Sequence, residues 1–260
     1  MCLIVFSYNH HKKYPVILAG NRDEFYGRDA RQAHFWDTSP PLLAGKDLRA
    51  GGTWLGVNQN GEFGAITNFR DLDNPINGER SRGEIIPEFL TQPGPPKKKL
   101  SRIQKNSSAY SGFNLLAGNA NQIFYLNNVN RQFQSVKPGI HGISNAFLDT
   151  PWPKVEKAKS LFKKVVQSEK INPEEIFQLL QDSESFPLEK LPNTGLSPEM
   201  EKAVSPIFIE TDDYGTRCSS LLTIDNDGQV QFTERTFHVT GDGSETVKEY
   251  SFNTAHLPPG

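Results

Sequence analysis

The chain has 260 residues, 28 Lys and Arg against 30 Asp and Glu, a formal net charge of −2 and 36% hydrophobic residues. That balance argues against a nucleic-acid or anionic-membrane surface, and no apolar run is long enough to span a bilayer. Two cysteines cannot build a disulfide framework, which points to a reducing, cytoplasmic setting.

The first elements in chain order are strands. CLIVFSY and VILAG, separated by the polar NHHKKYP, read as a hairpin. Placing Tyr8 opposite Pro15 sets Cys2 opposite Asn21, at the sheet end where Asn21-Arg22-Asp23-Glu24 leaves the second strand. TWLGV and EFGAITN flank Asn60-Gly61, a strong hairpin signal; pairing Gln59 with Glu62 then brings Thr53 opposite Asn68. FNLLAG and QIFYLN surround a third turn at 119–121, and SSLLTID and QVQFTER a fourth at Asp227-Gly228. Several of these strands are apolar on both faces, as a sheet covered on both sides requires.

Between the strand pairs the period changes. SRGEIIPEFLTQ reads as a short helix, and WPKVEKAKSLFKKVVQ puts Val155, Ala158, Leu161, Phe162, Val165 and Val166 on one helical stripe. Pro173 followed by EEIFQLLQ begins another helix. Residues 182–206 read as a loop-rich excursion, and 25–50 and 70–82 as further loops. With no repeat and no linker, residues 1–260 form a single α+β domain of antiparallel sheets with helices packed outside.

Chemistry concentrates at the strand ends. A cysteine behind the initiator methionine permits removal of Met1, and the freed α-amine, with an ordinary pKa of about 7.7–8.0, can take the proton of its own thiol. Nucleophile and base then sit on one residue, a nearby arginine favours the thiolate, and an asparagine amide can hold the oxyanion of an attacked carbonyl. The competing reading is a buried thiol packed as a small hydrophobe. Arg22, Asp23 and Glu24 also read as a turn, with an Arg-Asp pair clamping the loop through Ala50. Lys97-Lys98-Lys99 and the lysines of 154–170 read as solvated faces, and Gly241-Asp242-Gly243 as a turn. The six histidines lack metal-ligand spacing; His141, four before Asn145, is the one weighed as an axial haem ligand.

MCLIVF, Asn21-Arg22-Asp23-Glu24, GGTWLG at 51–56, TNFR at 67–70, SRG at 81–83, GISNAFLDTPWPKV at 142–155 and YGTRCSSLLTI at 214–224 together resemble the NRDE family. Its best-known members are the transport and Golgi organisation protein 2 homologues. The resemblance implies an αββα sandwich of the N-terminal nucleophile hydrolase type and a cysteine hydrolase or acyltransferase acting on a small amide or thioester. It implies Cys2 as nucleophile and base, Arg22 and Asp23 orienting amine and thiolate, Asn68 or Asn145 in the oxyanion hole, and Arg217 contacting Cys2 or substrate. The alternative is a non-catalytic carrier or chaperone for haem, acyl-CoA or a related amphipathic ligand. The partner is a small molecule in either case, and no resident cofactor or metal is expected.

Alternation along 214–224 puts Cys218 on the opposite face from Arg217, and the Asp227-Gly228 turn sets Arg217 opposite His238. With Arg217 facing the cleft, Cys218 faces away from Cys2, and no disulfide joins them.

Overall fold

The computed structural model describes residues 2–237 and 244–254. Two antiparallel sheets stack face to face. Strands β1 (Cys2–Tyr8), β2 (Val16–Phe25), β10 (Gly139–Ile143), β11 (Tyr214–Ile224), β12 (Gln229–Phe237) and β13 (Glu245–Asn253) form one sheet, in the order β10-β1-β2-β11-β12-β13. The other runs in chain order through β3 (Ala30–Trp36), β4 (Leu42–Asp47), β5 (Leu55–Asn58), β6 (Phe63–Asn68), β7 (Phe113–Asn119), β8 (Gln122–Asn127) and β9 (Phe133–Ser135). Helices α1 (Ile85–Thr91) and α2 (Pro96–Lys105) cover the second sheet. Helices α3 (Pro153–Val165) and α4 (Pro173–Leu180) cover the first, and a short α5 (Pro198–Ala203) lies in the 182–206 excursion.

This αββα layering explains the doubly apolar strands. Every residue of β1 is buried. Ile4 and Phe6 pack between the sheets, while Leu3 and Val5 pack outward with Val155, Ala158 and Phe162 of α3. Truncating Phe162 to alanine removes the centre of that outer layer and costs about 3–5 kcal/mol. Among the described residues, four of the five α-helices begin with proline, whose fixed φ suits the first turn and whose missing N–H is not needed there.

The strands at 30–36 and 42–47 lie where a loop was expected. β3 is mostly exposed, with Ala33 its one buried residue, so it carries little alternation to read. β13, also largely exposed, is likewise an edge strand. The Lys97-Lys98-Lys99 run is helical, and only its first two residues are solvated. Lys99 is buried, 2.6 Å from the Glu62 carboxylate. Lys154 is buried as well, its Nζ donating to the Val204 carbonyl at 2.8 Å.

Three expected registers are each off by one residue. Tyr8 faces Val16, because the first turn closes one residue further along with Asn9 N–H on the Pro15 carbonyl. The Asn60-Gly61 and Asp227-Gly228 turns are three-residue loops, not two-residue ones. Val57 faces Phe63 and Ile224 faces Val230, with Gly61 and Gly228 at φ of 75° and 78°. That is a helical turn followed by a left-handed glycine, which only glycine adopts freely. His238, Gly241-Asp242-Gly243 and His256 lie outside the described residues.

Candidate active site

The one-residue correction changes which side chain shares the thiol's face. Cys2 stands opposite Arg22, not Asn21. Across the next ladder Arg22 stands opposite Cys218, so Cys2, Arg22 and Cys218 form one row facing between the sheets. The expectation that Cys218 faces away is thus overturned. A β-bulge between Thr216 and Cys218 makes Arg217 the extra residue and moves Cys218 into the row that strict alternation would give to Arg217. Both thiols are free. They are separated by a whole strand, about 10 Å, beyond the roughly 7 Å reach of a disulfide.

The row opens into a cleft of 780 Å³. Its walls include Cys2, Arg22 and Asn68, together with the 47–54 and 78–83 segments. The two segments meet because Gly52 lies against Gly83: a Cβ at Gly52 would fall 2.3 Å from the Gly83 backbone. Thr53 N–H then bonds the Gly83 carbonyl at 3.0 Å. GGTW and SRG are therefore one structural unit, which carries Arg82 on the cleft wall with its Nη1 on the Gly112 carbonyl at 3.0 Å.

Around the thiol, burial pushes the Cys2 pKa up, the Asp23 carboxylate adds to that, and the Arg22 guanidinium and the Asp23 backbone N–H oppose it. The Cys2 carbonyl accepts Ser144 Oγ at 3.0 Å. Arg22 Nη2 reaches Asp47 at 3.2 Å, while its buried Nη1 has no partner among the described residues. It is Asp47, not Asp23, that clamps the loop through Ala50. Asp47 accepts Arg28 Nε at 2.5 Å and the backbone N–H groups of Arg49 and Ala50 at 3.0 and 2.8 Å. Alternation turns the Asp23 carboxylate to the helix side, where it accepts Thr216 Oγ1 at 2.7 Å. Burial raises its pKa, and Lys154 counteracts that.

The two asparagines divide their work. Asn68 lines the cleft. Asn145 is fully buried behind it, its Nδ2 donating to the Asn68 carbonyl at 2.9 Å and its Oδ1 accepting Ser144 Oγ at 3.2 Å. Asn68 can therefore present its amide to a bound carbonyl, and Asn145 fixes where Asn68 sits. Arg217 also lines the cleft, but its Nη1 donates to the carbonyls of Phe25, Tyr26 and Arg28 at 2.9, 3.1 and 3.0 Å, so it shapes the turn beside the site. His141 cannot offer an axial nitrogen: Nδ1 engages Asp149 at 2.6 Å and Nε2 the Lys137 carbonyl at 2.9 Å. Among the described residues no cluster of three or more His, Cys, Asp or Glu could hold a metal ion.

Sequence reasoning missed four residues here. Arg82 lay inside the quoted SRG motif, and Lys154 at the edge of the apolar helix stripe, four residues before Ala158. Cys218 was placed on the wrong face. Glu234 had no motif: it is buried at the cleft, accepts the Ala33 N–H at 2.7 Å and the Cys218 thiol, and burial raises its pKa.

A sequence model described as Transport and Golgi organisation 2 matches residues 1–239. The chain belongs to that family. The Transport and Golgi organization protein 2 homolog of Bos taurus is 34% identical over 261 residues, covering 90% of this chain and 92% of its own. The Homo sapiens homolog is 31% identical over 261 residues with the same coverage. The Drosophila melanogaster family protein is 28% identical over 263 residues, covering 91% and 92%. Among solved structures, the mutant C2A conjugated bile acid hydrolase of Clostridium perfringens superposes with a TM-score of 0.52 at 8% identity, covering 98% of each chain. A second variant of that enzyme gives 0.52 at 9% identity, covering 98% of this chain and 99% of its own. That likeness is one of fold: the Transport and Golgi organisation 2 chain has the N-terminal nucleophile hydrolase-like architecture. No helix among the described residues is long and apolar enough to cross a membrane.

Proposed function

We propose that the protein is a hydrolase or acyltransferase of the N-terminal nucleophile type, acting on a small amide or thioester after loss of Met1. What supports this most is the place of Cys2: at a strand end, facing the cleft, beside an arginine with one buried nitrogen that has no partner among the described residues. The solved relative in fold carries a substitution of a cysteine at the same ordinal position, C2A.

In this mechanism the Cys2 α-amine takes the thiol proton and the thiolate attacks the substrate carbonyl. The tetrahedral oxyanion accepts from the Asn68 amide. Collapse breaks the C–N or C–S bond, the ammonium returns its proton to the leaving amine or thiol, and an acyl-thioester remains on Cys2. A water deprotonated by the same amine hydrolyses that thioester, or an acceptor nucleophile takes the acyl group. Arg22 works against the burial that raises the thiol's pKa.

An acyl thioester probe tests the reading, with thiol release as the signal. Cys2→Ala lowers release at least about a thousandfold, with folding intact because one small side chain is lost. Unchanged release by Cys2→Ala would remove the mechanism. Ligand binding that persists in Cys2→Ala, where the wild type also shows no turnover, would leave the carrier reading standing.

A further inference from the structure

The arginines on the cleft wall differ in what holds them. Arg22 and Arg28 share Asp47, and Arg28 also meets Glu24 at 3.7 Å. Arg80 has Glu84 at 2.8 Å, and Arg217 spends Nη1 on the carbonyls of the 25–28 turn. Arg82 is different. It is half-buried on the wall, and no carboxylate among the described residues pairs with it. Among those residues its guanidinium gives one hydrogen bond, from Nη1 to the Gly112 carbonyl at 3.0 Å. The Phe69 N–H donates to the same carbonyl at 2.9 Å, so the guanidinium lies beside the Asn68–Phe69 peptide, on the wall that presents the Asn68 amide. The backbone behind it is fixed by the Gly52 contact with Gly83 and by the Thr53 N–H on the Gly83 carbonyl. Burial pulls the Arg82 pKa down, and the charges of Cys2 and Glu24 pull it back up.

A half-buried cation with most of its donors unused carries a desolvation cost that an anion offsets. We infer that Arg82 receives a carboxylate of the substrate, placed a few bonds from the carbonyl whose oxygen Asn68 holds. The planar fork of a guanidinium matches the two oxygens of a carboxylate with parallel N–H bonds. A dianionic phosphoryl group would leave one charge unmatched there. The substrate class narrows to small amides or thioesters with a carboxylate near the scissile bond, on the acyl part or on the leaving group. The inference rests on the proposed use of the cleft for such substrates, but not on any reaction occurring there.

Calorimetric titration of full-length Cys2→Ala tests it without turnover, using three small probes: succinamate, N-acetylglycinate and uncharged butyramide. At least one carboxylate binds about tenfold or more tighter than butyramide, and added salt weakens that binding. Succinamate above N-acetylglycinate places the carboxylate on the acyl part; the reverse places it on the leaving group. Adding Arg82→Gln removes the preference over butyramide. Adding Arg82→Lys instead keeps the charge without the fork and weakens carboxylate binding at least about threefold, which covers the case in which Arg82→Gln does not fold. No preference for a carboxylate in Cys2→Ala, or an undiminished preference in either folded Arg82 variant, overturns the subsite. Thiol release by the wild type is measured separately, so a failed nucleophile and a failed subsite give distinguishable results.

Discussion

On the helix side of β2, Asn21 donates to the carbonyls of Leu180 and Ile207 at 2.8 and 2.9 Å and accepts Ser219 Oγ at 2.6 Å. One residue along, on the cleft side, Arg22 leaves Nη1 buried and without a partner among the described residues. Adjacent letters of a single motif thus serve two layers. Asn21, toward the helices, is satisfied inside the protein and fixes the sheet to α4 and the 207 segment. Arg22, toward the cleft, keeps donor capacity that a ligand can use. Burying a donor unsatisfied is costly, so its presence at the cleft and the saturation of Asn21 distinguish binding from scaffolding.

The comparison can be broken first at Lys154, where the largest stability effect is expected. Burial pulls its pKa down to about 8, against the partial restoring effect of Asp23. The unfolded chain holds that proton to about pH 10.4. Between those values the unfolded state binds more protons, so the protein gains stability as pH rises. Denaturant titrations from pH 8 to 10 should show a gain of about 2 kcal/mol that Lys154→Met lacks. Parallel profiles for the two proteins would mean that Lys154 is not charged and buried against Asp23.

Asn21→Ala comes next. It strands two carbonyls and a hydroxyl, and stability should fall by about 2 kcal/mol, while acyl transfer per folded molecule stays within about twofold of wild type. A large loss of turnover in folded Asn21→Ala would erase the division between the two faces of β2. The smallest effect belongs to Cys218→Ser, which keeps a donor for the Glu234 carboxylate. Thiol release should stay within about twofold and stability should change by less than about 1 kcal/mol. Loss of turnover there would give the second thiol a part in the chemistry.

The layers, and the gathering of Cys2, Arg22 and Asn68 at one strand end, were readable before the register was. CLIVFSY announces a strand covered on both faces, and the 155–166 stripe announces a helix, because burial leaves a strong apolar period. The edge strands 30–36 and 245–253 leave almost none, since solvent takes their outer residues. The hairpin registers turned on one residue, and Asn-Gly or Asp-Gly is compatible with both two- and three-residue loops. That single residue exchanges faces, which is why Arg22 rather than Asn21 stands beside Cys2. The bulge at Arg217 leaves no mark on composition or spacing, so the position of Cys218 was beyond reach. Buried Lys99 and Lys154 look like their exposed neighbours until the carboxylate and the carbonyls they meet are known.

The central claim, that Cys2 is an N-terminal nucleophile, is tested most directly by mass spectrometry of the amino-terminal peptide after a short exposure to an acyl thioester and an acid quench. The account predicts a peptide that begins at Cys2, lacks Met1 and carries the acyl mass on that residue, with Cys218 unmodified. A peptide that retains Met1 and an unacylated Cys2, from protein that releases the probe's thiol, would contradict it.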